Sequence, residues 1–154
     1  DRKAFRSAVE CLGSGKEAVV QENKEQLLRV LKQAMSAEYG ALWVLPRHMA
    51  ELQDEELRRQ LHLIAEVELE HAEKSAQMIY RLGGIPDADV PHLQVRTGVR
   101  DILEAHLQGE QESIALYQRA ISLTQDPELR QALAQMKADE EGHERLLRRA
   151  RARL

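Results

Sequence analysis

Six residues in this chain combine types and spacings that suit a pair of metal ions: Glu38, Glu68, His71, Glu110, Glu140 and His143. Glu-x-x-His occurs at Glu68–His71 and again at Glu140–His143. On a helix, residues three apart share a face, so each motif turns a carboxylate and an imidazole the same way. Glu38 precedes Glu68 by 30 residues, and Glu110 precedes Glu140 by 30. Four carboxylates carry four negative charges, which two divalent ions would balance. Carboxylate oxygen with imidazole nitrogen suits iron or manganese, and zinc as well.

Helices must position this set. At alternating steps of three and four, four apolar stripes emerge. The first is Leu28, Leu31, Met35, Glu38, Leu42, Leu45, Met49; the second is Leu57, Leu61, Ile64, Glu68, His71, Ser75, Met78, Leu82. The third is Val99, Leu103, His106, Glu110, Ile114, Tyr117, Ile121; the fourth is Leu129, Leu133, Met136, Glu140, His143, Leu147. Each carries one Glu near its middle, and the second and fourth add the His. Other acids, such as Glu51, Glu55, Glu66, Glu70, Glu73 and Glu112, fall off the stripes and read as solvated faces. A buried, unpaired carboxylate is very costly, and four together repel one another. Six ionisable residues at one level of a core therefore point to a bound cation.

Punctuation gives the expected organisation, a single domain over 1–154. Residues 1–15 form an N-terminal extension with a short amphipathic helix (Phe5, Val9, Leu12) ended by Gly13-Ser14-Gly15. Helix A follows over 16–51, and Asp54 caps helix B over 54–82, which Gly83-Gly84 and Pro86 stop. A crossover fills 83–96. Helix C covers 97–125, and Asp126-Pro127 starts helix D over 126–152. Pro46 inside helix A is expected to kink it or shift its hydrogen bonding. No segment alternates as a strand would. The B–C link can reach about 46 Å when extended, enough to run the length of helix B at about 42 Å. The fold class is all-α: two antiparallel hairpins joined by a long crossover, the connectivity of a ferritin-like four-helix bundle. The halves repeat at an offset of 72: Arg47 meets Arg119, Gln53-Asp54 meets Gln125-Asp126, and Leu61 meets Leu133. Such a repeat sets the ligands about a pseudo-twofold axis.

Composition narrows the function. The chain has 154 residues, 43% hydrophobic and 31% charged, with a formal net charge of -4. That balance argues against a dedicated nucleic-acid binder. A single cysteine, Cys11, excludes an intrachain disulfide framework or a Cys-x-x-Cys site. The longest apolar run, Ala41–Leu45, is far short of a membrane span. A cytoplasmic location is the expectation.

The sequence resembles the ferritin-like superfamily, and most closely its bacterioferritin and rubrerythrin-type branch. Ala37-Glu38, Glu68 to Glu73, Leu82 to Pro86, Glu110 with Tyr117, and Asp139 to His143 carry the likeness, which spans about residues 23 to 150. The resemblance implies that Glu68 and Glu140 bridge two metals, that Glu38 and Glu110 cap one each, and that His71 and His143 each supply a nitrogen. It implies two iron ions per chain, with Fe(II) oxidised by dioxygen or hydrogen peroxide in a ferroxidase- or peroxidase-like reaction. It also implies a homo-oligomer, by default a dimer through the first two helices. Leu69 stands where bacterioferritin carries its haem-ligating Met, so no haem is expected. Only eleven residues follow His143, too few for the fifth helix that helps close a bacterioferritin shell. With one Cys there is no rubredoxin-type electron donor within the chain.

Two alternatives use the same residues. One is an oxidase or hydroxylase of a small organic substrate, which needs a cavity beside Glu38 and Glu110. The other is a non-catalytic bundle holding a redox-silent ion. Among lesser features, Tyr117 is a candidate redox group, but core packing is the better reading. His106, one turn before Glu110, reads first as a hydrogen-bonded core residue, and otherwise as an extra ligand or a partner of the ligands. His48, His62 and His92 read as surface residues. Met35, Met49, Met78 and Met136 read as core fillers, Trp43 as a subunit contact, and the arginines from Arg145 to Arg153 as cations suited to a helix C-terminus.

Overall fold

The computed structural model describes residues 2–89 and 95–154, with side chains from residue 19 onward. The described residues form four helices: α1 (Arg2–Glu51), α2 (Glu55–Arg81), α3 (Val99–Leu123) and α4 (Pro127–Arg151). The described residues contain no strand, and none of their helices is long and apolar enough to cross a membrane. The separate N-terminal helix expected to end at Gly13–Gly15 is instead continuous with α1, which runs 50 residues. Glycine lowers helix propensity by about 1 kcal/mol but removes no backbone donor, so the ladder continues through it. The helix also continues through Pro46, which is exposed and leaves the Leu42 carbonyl without its usual partner.

The helix starts follow local chemistry. The Asp54 carboxylate accepts from the backbone N–H of Glu56 at 2.9 Å and of Leu57 at 3.1 Å. Asp126 does the same for Glu128 and Leu129, at 2.9 and 3.2 Å, with Pro127 in the first turn. At the end of α2, Gly83 adopts φ +79°, and the Gly84 N–H returns to the Ile79 carbonyl at 2.9 Å. Gly84 lies against α1: a Cβ there would sit 2.8 Å from Leu28 Cδ2 and 3.0 Å from Ile79 Cγ2. Gly84→Ala is expected to lower stability by about 1–3 kcal/mol, as overpacking does, read as a drop in melting temperature.

The described ends of the crossover lie against α1. Asp87, near its start, pairs with Lys32. At its end, the Arg96 N–H donates to His48 Nε2 and the Gly98 N–H to Glu51, both at 3.2 Å. Lys32 and Glu51 are 19 residues apart on the helix, about 28 Å. The link thus carries the chain from one end of the bundle towards the other, so α3 runs beside α1. α1 packs along both α2 and α3, and α3 along α4, while α2 and α4 touch sparsely.

The apolar core falls into two blocks. One contains Leu27, Leu31, Met35, Met78, Ile79, Leu133 and Met136. The other contains Leu45, Leu57, Leu61, Ile64, Leu103 and Leu147. Between them lies a buried polar belt, which holds Glu38, Glu68, His71, Glu110 and Glu140.

Candidate metal centre

Each helix contributes to the belt from its buried stripe, one glutamate apiece, with His71 one turn beyond Glu68 and His143 one turn beyond Glu140. The first four-residue group is Glu38, Glu68, His71 and Glu140; the second is Glu68, Glu110, Glu140 and His143. Within each group, one ligand-type atom per residue lies within 4.8 Å of the others. Glu68 and Glu140 belong to both. All six residues singled out by spacing thus converge on one place.

The imidazoles turn the same nitrogen inward. His71 Nδ1 stands 2.7 Å from Glu140 Oε1 and 3.8 Å from Glu68 Oε2. His143 Nδ1 stands 3.0 Å from Glu140 Oε2, 3.2 Å from Glu68 Oε1 and 3.4 Å from Glu110 Oε2. Tyr117 is fully buried, and its hydroxyl donates to Glu38 Oε1 at 2.6 Å. It is both a core side chain and a direct neighbour of the site.

Electrostatics show a cluster short of positive charge. Burial pushes Glu38 well above the usual carboxylate range, and the neighbouring Glu68 adds to this. Burial also raises Glu68, and lifts Glu110 to about 8. Burial would raise Glu140 too, but His143 and His71 hold it down to about 2. Against its own desolvation, His143 is pushed up to about 12 by Glu110, Glu140 and Glu68, and His71 is raised by Glu140. Burial and the Glu38 carboxylate raise Tyr117 well above the ordinary phenol range. The protons of the two imidazolium rings stand where cations would. One acceptor lacks even that: Glu68 Oε2 is buried with no hydrogen-bond partner. A buried acceptor without a donor is costly, and a cation would satisfy it. With oxygen and imidazole donors in two groups sharing two carboxylates, the residues fit a pair of divalent ions.

Sequence reasoning missed two features. Asp139 stands behind His71, and His71 Nε2–H donates to Asp139 Oδ2 at 3.2 Å. This carboxylate fixes the ring with Nδ1 inward. The available signal was a break in the repeat: at the offset of 72, Asp139 meets Val67, just as Tyr117 meets Leu45. The Glu38–His71 side is therefore buttressed by two residues that the Glu110–His143 side lacks. Asp139→Asn is expected to weaken one of two metal equivalents by about 10–100-fold and leave the other tight. An anaerobic metal titration would show this as a split into two steps.

The second feature is His48, expected at the surface but 1% exposed. It sits on the inner side of α1, where its Nε2 accepts from the Arg96 N–H. His48 Nδ1 lies 3.0 Å from His106 Nε2. His106 accordingly bonds to His48, and among the described residues it makes no hydrogen bond to the carboxylate cluster. His62 is exposed as expected, and His92 lies outside the described residues.

A four-helix bundle in two hairpins, with carboxylates and imidazoles gathered at its centre, defines a class of proteins built to hold metal inside the fold. The family model described as a ferritin-like domain matches residues 19–154, and the chain belongs to that family. Among curated proteins, none matches the sequence. Several solved structures do. A ferritin-like diiron-carboxylate protein from Bacillus anthracis is 26% identical, with a TM-score of 0.79 over 84% of this chain and 97% of that one. The bacterioferritin of Desulfovibrio desulfuricans is 23% identical, with a TM-score of 0.77 over 86% of this chain and 82% of that one. A dodecameric thioferritin from Bacteroides fragilis is 22% identical, with a TM-score of 0.73 over 86% and 90%.

Proposed function

We propose that the chain is a di-iron carboxylate protein that binds Fe(II) as substrate and oxidises it with dioxygen or hydrogen peroxide, in iron handling or protection against oxidants. The observation that carries this reading is the pair of ligand groups sharing Glu68 and Glu140. Glu38 and His71 would complete one metal position, and Glu110 and His143 the other. A ferritin-like diiron-carboxylate protein among the structural neighbours supports iron over manganese or zinc. Iron in this centre supplies electrons to the oxidant. The protein's part is to neutralise and orient. Four carboxylates offset the charge of two ions, Asp139 fixes the His71 ring, and Tyr117 holds one Glu38 oxygen by a hydrogen bond. The two apolar blocks exclude water from above and below.

The reading extends to a homo-oligomer without haem. Leu69, at the position of the haem-ligating Met in bacterioferritin, is an exposed aliphatic side chain that offers iron no ligand. Tyr39 and Trp43, one turn apart on α1, are exposed, with the Arg47 guanidinium 5.8 Å from the Trp43 ring centre. They suit a contact between copies. The test is an anaerobic Fe(II) titration followed by oxygen, monitored by near-ultraviolet ferric absorbance. Saturation at two irons per chain with fast oxidation is the expected result. Absence of tight iron binding would overturn the reading.

A further inference from the structure

The polar belt is not sealed on every side. A cavity of about 170 Å³ opens between α1 and α3. At one end it reaches Glu38, Glu68 and Glu110, and at the other His48 and His106. Glu38 and His48 are ten residues apart on α1, so the cavity extends about 15 Å along the helix. Metal ions at the carboxylates would take only one end of it. The intervening wall is mostly small side chains, among them Ala41, Ala105 and Gly109, with Val44 and the exposed Glu112 also on the lining. An apolar cavity of about 150 Å³ is enough to bind benzene. This space therefore far exceeds what dioxygen or peroxide requires.

The far end has a defined polarity. A backbone N–H can only donate, so the Arg96 N–H makes His48 Nε2 an acceptor. In the neutral ring, Nδ1 then carries the proton and donates to His106 Nε2. Burial holds His48 below the ordinary histidine range, and burial with the neighbouring His48 holds His106 down to about 4, so both rings are neutral near pH 7. His106 must then carry its own proton on Nδ1. Among the described residues that N–H has no acceptor. The chamber thus combines a carboxylate end, small apolar walls, and a ring with an unused donor.

We infer that this chamber is a binding site for a small neutral organic molecule, up to about the size of benzene, carrying one hydrogen-bond acceptor such as a carbonyl oxygen. The carboxylates disfavour an anion, the volume sets the size, and the His106 N–H selects the acceptor. The inference stands beside iron oxidation and does not rest on it. It supplies the cavity that an organic substrate of the same centre would need, while asserting binding alone.

The test uses the full chain loaded with zinc, which the same ligands accept and which is redox-silent. Cyclopentanone and cyclopentane serve as probes, differing in the acceptor oxygen, and amide chemical shifts are followed. Saturable shifts centred on Ala41, Ala105 and Gly109 are expected, with cyclopentanone binding at least about five-fold tighter, on the order of one hydrogen bond. His106→Leu should abolish that preference. Ala105 lines the cavity and is half-buried, and leucine is a good helix former, so Ala105→Leu should keep the helix and narrow the space. It should weaken both probes about ten-fold or more while two zinc ions per chain are retained. No saturable shift at these residues, or unchanged affinity in Ala105→Leu, overturns the inference. Failure to take up zinc counts against the metal reading instead, and the probe titration is then read the same way on the metal-free chain.

Discussion

Glu140→Ala is expected to reduce metal binding from two ions per chain to none that bind tightly, whereas Glu38→Ala should leave one. Glu140 belongs to both ligand groups and Glu38 to one. Glu140 is also the carboxylate nearest both imidazoles, at 2.7 Å from His71 and 3.0 Å from His143. Its removal takes a ligand from each position and the central negative charge from both. Loss of a shared ligand should cost at least about three orders of magnitude in affinity, since each buried charged contact is worth several kcal/mol. Equilibrium dialysis with metal analysis would measure it. Two tightly bound ions in Glu140→Ala would refute the assignment of Glu140 as a shared ligand.

The stability gained on metal loading should grow as pH rises from 5.5 to 8. Glu110, raised to about 8, and Glu38, raised well above its ordinary 4.5, favour the folded metal-free chain only while protonated. Their contribution is complete below 4.5 and is lost as pH climbs through the folded values. His143, raised to about 12 from 6.5, adds a loss that begins above 6.5. Glu140, held at about 2, acts oppositely: its contribution is present above 4.5 and disappears only in acid. The metal-free chain therefore weakens across this window. Metal binding strengthens, because fewer protons must be displaced from the ligands. Each pH unit by which a carboxyl is displaced is worth about 1.4 kcal/mol, and 1 kcal/mol moves the melting temperature by about 2–4 °C in a chain of this size. The gap between zinc-loaded and chelator-treated protein should widen by about 10 °C. A gap that narrows would place the metal away from these carboxyls.

Periodicity made the centre legible because the ligands are trapped in apolar stripes. A glutamate at every stripe's midpoint has no other means of escaping notice, and the structure brings all four together with both histidines. Asp54 and Asp126 were equally clear, since an N-cap is local chemistry. What escaped depends on neighbours distant in sequence. Asp139 lies off the stripe and has no assigned role until α2 places His71 against it. His48 reads as exposed because its partners, the Arg96 amide and His106, lie 48 and 58 residues away. The cavity is invisible for the same reason: Ala41, Ala105 and Gly109 are unremarkable until α1 and α3 are laid side by side. The break expected at Gly13–Gly15 failed differently, because glycine weakens a helix without forbidding it.

The division of the core into two apolar blocks has a consequence for how the molecule breathes. Most helices fray from their ends and are firmest at the centre. Here the centres of α2, α3 and α4, and the Glu38 stretch of α1, face the charged belt, where desolvated carboxylates repel until a cation joins them. In the metal-free chain, amide hydrogen exchange should be fastest in the turns around Glu38, Glu68, Glu110 and Glu140, between two better-protected flanks. Metal uptake would close that gap and merge two cooperative units into one.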